Sequence, residues 1–309
     1  MEFGYDGEDF LFLSGAAGNY ASTPDAASLD IVGDLDLRVR VNMDDWTPAA
    51  ESTLIAKYTA TGNQRSYALA ITATGALIFR WSEDGTVEKT ETSSAVNTFT
   101  NGTTHWVRAT IDVDNGAADA AVNFYTSEDG STWTALGVEQ LNGATTSIFA
   151  STAVLELGSQ TAGATNRTAG KIYRAQVLSG IAGTAVASPI ASTSTNTVGD
   201  ATPLTWTVQG TAFISSHTMF GLQAYLQAFA LTGTSYTVTL QHSHDNGGTD
   251  AFAAITGAAF AAVSSVPTTE RIATAAIEIK RYVRAVTTGT FTNAIFNVNC
   301  SVNITSTVF

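Results

Sequence analysis

Residues 34–43 read DLDLRVRVNM, and the alternation is strict. Leu35, Leu37, Val39, Val41 and Met43 fall in one phase, and Asp34, Asp36, Arg38, Arg40 and Asn42 in the other. A period of two can bury one side only in an extended chain, so this run predicts a half-buried antiparallel strand. The same period returns at 66–71 (SYALAI), 76–81 (ALIFRW), 106–113 (WVRATIDV), 121–126 (AVNFYT) and 171–178 (KIYRAQVL). Further on, Tyr236, Val238 and Leu240 alternate with Thr237, Thr239 and Gln241. Phe296, Val298, Cys300, Val302 and Ile304 alternate with Asn297, Asn299, Ser301 and Asn303. No segment sustains a helical period; the nearest, ITGAAFAAV at 255–263, is short and holds a glycine. SEDG at 82–85 and again at 127–130, and HDNGG at 244–248, supply the positive backbone angles of tight hairpins. The chain is predicted to be all-β, built of sandwiches.

At 309 residues the chain exceeds what one core usually fills. Charge divides it: residues 1–215 hold 23 acidic and 10 basic side chains, and 216–309 hold four of each. The Ala/Ser/Thr-rich stretch 183–203 reads as a long loop before a strand at 204–214, LTWTVQGTAFI. The domains are therefore set at 1–214 and 215–309. A net charge of −13 argues against nucleic acid or an anionic membrane as partner. No apolar run reaches the length of a membrane span, and the opening MEFGYDGEDF lacks the regions of a signal peptide. A single cysteine, Cys300, leaves no intramolecular disulfide.

Several blocks carry a resemblance. FLSGAAGNYASTPDAASLDIVGDLDLRVRV (12–41), GNQRSYALAI (62–71) and GALIFRWSEDGT (75–86), with Lys57, resemble a laminin-G-like, concanavalin A-like jelly roll. HWVRATIDVDNGAADAAVNFYTSEDGSTWTALG (105–137) resembles such domains in virion proteins of tailed bacteriophages. GKIYRAQVLSGIAGTAVAS (170–188) and TWTVQG (205–210) look like that domain's last strands. AYLQAFALTGTSYTVTLQHSHDNG (224–247) and ERIATAAIEIKRYVRAVTTGTFTNAIFNV (270–298) resemble a small C-terminal β domain of phage tail and decoration proteins. The resemblance implies a concanavalin A-like jelly-roll sandwich followed by a smaller antiparallel β-sandwich. It also implies a non-enzymatic virion structural protein, decorating a capsid or tail, whose partners are other virion subunits. The location would be the virion surface, after synthesis in the host cytoplasm. The alternative is a glycan-binding adhesin that engages a host-surface glycan.

Candidate chemistry is sparse. Asp34 and Asp36 share a strand face with Arg38 and Arg40, which fits charge pairing better than the facing carboxylates of a glycosidase. His242, His244 and Asp245 make a metal half-site or a polar strand end. Asp129 reads as a turn former with Trp133 packed on it. Jelly rolls of the resembled kind hold calcium at a loop rim, which would use Asp112, Asp114 and Asp119; a hairpin loop on an acidic domain accounts for the same residues. No other cofactor is expected. Among five tryptophans, Trp46 in DDWTP is the candidate platform for a sugar ring, or else a packing residue. The uncharged row Asn297, Asn299, Ser301 and Asn303 is a candidate surface for a homo-oligomer or an anchor, since exposed monomer strands usually carry charge. The neutral second domain is expected to make the subunit contacts.

Overall fold

The computed structural model describes residues 9–192, 197–215, 221–243, 247, 251–274, 279–280 and 282–302. Its strands run in chain order from β1 (Phe10–Ser14), β2 (Tyr20–Thr23) and β3 (Leu35–Met43) to β4 (Ser52–Thr59), β5 (Gln64–Ile71), β6 (Ala76–Trp81) and β7 (Lys89–Val96). Then come β8 (Thr104–Asp112), β9 (Ala121–Ser127), β10 (Thr134–Ala135), β11 (Gln140–Leu141), β12 (Leu155–Leu157) and β13 (Ala169–Ser179). Short strands follow: β14 (Thr184–Ala187), β15 (Pro189–Ser192), β16 (Thr197–Asp200), β17 (Thr207–Gln209) and β18 (Phe213–Ser215). The last four are β19 (Leu222–Ser243), β20 (Ala253–Ala259), β21 (Thr268–Ala273) and β22 (Tyr282–Val302). Among the described residues the one helical element is a single 3-10 turn at Ala27–Leu29, and no helix is long and apolar enough to cross a membrane. The protein is all-β.

Two compact units divide the chain, the larger being Asp9–Ser192 with Thr197–Ile214. Its first sheet runs β10-β9-β8-β3-β13-β1-β18, with β11 on β9 and β14 to β16 beyond β13. The second runs β17-β2-β12-β4-β5-β6-β7. Between them lies one core, to which β3 gives Leu35, Leu37, Val39 and Val41, all fully buried, as the alternation requires. From the second sheet come Leu69, Ile71, Leu77 and Phe79. The stretch 183–203, read from sequence as a loop, instead forms β14, β15 and β16, whose small residues hide their alternation. The expected strand 204–214 breaks into β17 and β18 at Gly210, where φ is 68° and an added Cβ would lie 2.4 Å from the Gly18 carbonyl.

The two SEDG segments fold alike. Ser82 Oγ accepts the Gly85 amide and Ser127 Oγ the Gly130 amide, each at 2.9 Å. Asp84 takes the amides of Thr86 and Val87, and Asp129 those of Ser131 and Thr132. The Thr86 hydroxyl on Asp84, and then these amides on both, hold the two carboxyls far below the usual carboxylate range.

In the smaller unit β19 and β22 form one antiparallel ribbon of about twenty residues a side, with β20 and β21 on the other edge of β19. The register slips around Gly233, and Gly289 crosses close to Ser235 and Tyr236 there. A Cβ on Gly233 would meet Phe291 Cα at 2.5 Å, and one on Gly289 the Ser235 carbonyl at 2.4 Å. The two halves of the ribbon share one core. Tyr236, from the second half of β19, lies 5.6 Å from the rings of both Phe291 and Phe296.

Candidate functional site

The polar phase of β3 faces away from the core, and the same phase of its neighbours builds one surface with it. Across β3, Arg38 stands opposite Arg108 of β8, and Arg40 opposite Arg174 of β13. Lys171 lies on this side too, opposite Asn42. Five of the ten cationic side chains of this acidic unit thus share one sheet face.

Asp36, fully buried, sits between the first pair. It accepts two bonds from Arg38, at 3.1 and 2.8 Å, and two from Arg108, at 2.9 and 2.8 Å, and a fifth from the Ala182 amide. Burial pushes the Asp36 carboxyl up, but these donors outweigh it and hold it below the ordinary value. Aromatic rings close over the guanidinium groups. Arg38 and Arg108 lie 5.6 and 5.3 Å from the Trp133 ring, and Arg108 4.9 Å from that of Tyr125. Arg40 lies 5.1 Å from Tyr173, and Lys171 5.1 Å from Phe10. Trp133 is carried to this place by the Asp129 turn four residues before it and meets Trp106 edge-on at 6.4 Å. Arg174 is exposed.

The candidate residues from the sequence fare differently. Trp46 is not a platform: it is 1% exposed, donates its indole N–H to the Thr103 carbonyl at 3.2 Å, and packs on Phe99 and His105. An indole so enclosed offers no face to a sugar. Its loop neighbours Asp44, Asp45 and Pro48 do line an open cleft of about 410 Å³, with Glu51 and Arg167. Of the five tryptophans, Trp133 is the one not buried.

Asp112 and Asp114 cap their own turn, taking the amides of Asp114 and Gly116, while Asp119 turns to the Gly143 amide at 2.7 Å. Among the described residues no group of three or more His, Cys, Asp or Glu converges on a metal position. Asp34 accepts the Val113 amide and does not face Asp36 as a catalytic partner. His242 accepts the Lys280 amide at Nδ1; His244 and Asp245 lie outside the described residues. Asn297, Asn299 and Ser301 are exposed as the alternation requires, and Asn303 lies outside the described residues. Cys300 faces the core half-buried, and burial raises its thiol.

The arginine–aromatic face is absent from the sequence-stated candidates. Its signal was in plain view as R-x-R at 38–40 and K-x-x-R at 171–174, but only strand register shows that these cations stand side by side.

No family model matches the chain, and no curated protein matches it. Among solved structures, mouse laminin α1 chain domains LG4-5 align at 14% identity and TM-score 0.40, covering 97% of this chain and 92% of that one. The heptameric SAP-like pentraxin of Limulus polyphemus aligns at 13% and 0.39, covering 56% and 76%. The CBM40 of the Ruminococcus gnavus IT-sialidase, bound to α2,3-sialyllactose, aligns at 17% and 0.32, covering 52% and 89%. All stand below a TM-score of 0.5, so what those proteins bind says nothing of this chain.

Proposed function

We propose that the larger unit is a non-enzymatic binding module for saccharides carrying carboxylate or sulfate groups, with the face around Arg38, Arg40, Arg108 and Arg174 as its site. The observation that carries this is the pair of Arg–Arg cross-strand neighbours, Arg38–Arg108 and Arg40–Arg174. Like charges directly opposite destabilise a sheet. Asp36 offsets the first pair, and Arg174 of the second stands exposed, where an anionic group on a saccharide can meet it. Guanidinium forks match carboxylate and sulfate oxygens, and the partly exposed Trp133, Tyr125 and Tyr173 offer apolar surface to a sugar ring. An array of acidic and neutral glycans tests it. Binding restricted to acidic glycans, weakened by salt and lost in Arg40→Ala with Arg174→Ala, is expected. No binding to any acidic glycan would sink the reading.

The whole chain is further proposed to be a structural protein on the surface of a tailed-phage virion, displaying this module. Support comes from the phage-like blocks at 105–137, 224–247 and 270–298 and from the low charge of the smaller unit. Mass spectrometry of purified particles, with antibody labelling, would locate the chain; its absence from particles would remove this part.

A further inference from the structure

We infer that the outward sheet face of the smaller unit, around Tyr225 and Phe229, is a binding site for a neutral saccharide chain. The inference does not rest on the acidic-saccharide reading, which concerns the larger unit.

The first half of β19 pairs with β21 on one edge and with β22 on the other. Register sets Tyr225 between Arg271 and Asn299, Gln227 between Thr269 and Asn297, and Gln223 between Ala273 and Ser301. Directly opposed residues share a face, so these side chains form one strip. Ala224, Leu226 and Ala228, in the other phase, are at most 1% exposed and belong to the core.

The strip gathers apolar side chains that the rest of the unit hides. Tyr225 and Phe229 are 46% and 57% exposed, whereas every other aromatic side chain among the described residues is buried or half-buried. Ile295, opposite Ala230, is 54% exposed. These three are the exposed large apolar side chains among the described residues of the smaller unit. Apolar groups brought together and rimmed by polar ones mark a binding surface. The rim here is amide and hydroxyl, with Arg271 as its one charge. That guanidinium is turned onto the strip, 5.9 Å from the Tyr225 ring and 3.0 Å from Gln223 Oε1.

Size and charge select the occupant. From Gln223 to Phe229 and across three strands the strip covers roughly 200 Å². A stable protein interface takes about 800 Å² from each partner, so a second copy or another subunit is poorly matched. A narrow strip suits a single extended chain. With one cation, already engaged by Gln223 and Tyr225, it suits a neutral one. A saccharide supplies both remaining parts. Its rings carry apolar C–H faces that pack on Tyr225 and Phe229, which stand about 13 Å apart along the strand. Its hydroxyls donate and accept at once, as do the side-chain amides of Gln227, Asn297 and Asn299.

The test is titration calorimetry of the full chain with neutral glucan, mannan, xylan and galactan oligosaccharides, at low and high salt. Binding to at least one is expected, equal at both salts. Tyr225→Ala with Phe229→Ala should weaken it by about tenfold or more, with the circular dichroism spectrum unchanged because both side chains are exposed. Gln227→Ala, which keeps both rings, should weaken it several-fold. Thr288→Ala, on the second half of β22 opposite Thr237, should leave it unchanged. No binding to any of these oligosaccharides would overturn the inference. So would binding that salt removes, that survives loss of both rings, or that Thr288→Ala weakens equally. Self-association of the wild type by light scattering, lost in Tyr225→Ala with Phe229→Ala, would assign the strip to a second copy instead and overturn it too.

Discussion

Lys57 Nζ lies 2.9 Å from Asp25 Oδ1, with the lysine side chain fully buried and the aspartate about one-third exposed. Asp30 approaches the same nitrogen at 3.2 Å, and the Ser151 carbonyl accepts a third bond. An ammonium in a sandwich interior is retained only when donors and counter-charges are all satisfied. Lys57→Met is expected to cost about 3 kcal/mol, since two carboxylates lose their partner while keeping part of their water. Urea denaturation measures it. A loss below ~1 kcal/mol would show that the lysine is dispensable.

Acid should weaken the larger unit through Asp36. Its carboxyl is below the ordinary value in the folded chain, so the native state holds fewer protons than the unfolded one on descending through that range. The stability this gives is fully present above about pH 4, the unfolded carboxylate value, and is lost as pH falls through the folded value. Asp36→Asn should remove that part of the slope and destabilise by about 3 kcal/mol even at neutral pH, because two guanidinium groups remain with no anion between them. Thermal melts from pH 7 down to pH 2 check both statements.

Trp46 and Trp133 should separate stability from binding. Trp46→Ala empties a fully enclosed site and is expected to cost about 3–5 kcal/mol. Trp133→Ala should change stability far less, yet weaken binding of an acidic glycan about tenfold, equivalent to 1.4 kcal/mol. Calorimetry and a glycan titration on both variants read this out; the reverse pattern would move the site to the cleft beside Asp44.

Calcium should leave the hairpin at 112–119 unmoved. Asp112 and Asp114 are committed to successive backbone amides, and Asp119 to a different strand connection. Melting temperature is expected to be the same in excess calcium and in chelator. A rise of several degrees with calcium would show that these carboxylates regroup around the ion.

The parts legible in the sequence are those where one residue's phase settles the outcome. The buried row of β3, the paired SEDG turns and the outward row at Asn297, Asn299 and Ser301 all follow from period two and turn chemistry. Trp46 misled because the turn-forming residues around it signal exposure, while the groups that enclose it, Phe99, Thr103 and His105, come from more than fifty positions away. The strands within 183–203 were hidden by small side chains that give almost no apolar contrast. The arginine face was hidden for another reason: that Arg40 stands beside Arg174 is a fact of pairing between strands distant in sequence.

Sheet order in the larger unit also sets a timetable for the ribosome. Leu37 on β3 is paired with Ala109 on one side and Val177 on the other. The second partner is made about 140 residues after the first strand, on the order of ten seconds at usual elongation rates. Throughout that interval a strand that gives four fully buried side chains to the core has an open flank, and no local hairpin can close it. The nascent chain is therefore a long-lived client for chaperones. Any premature stop before residue 169 releases a product with β3 bare on one edge, prone to joining other unfinished copies rather than to folding alone.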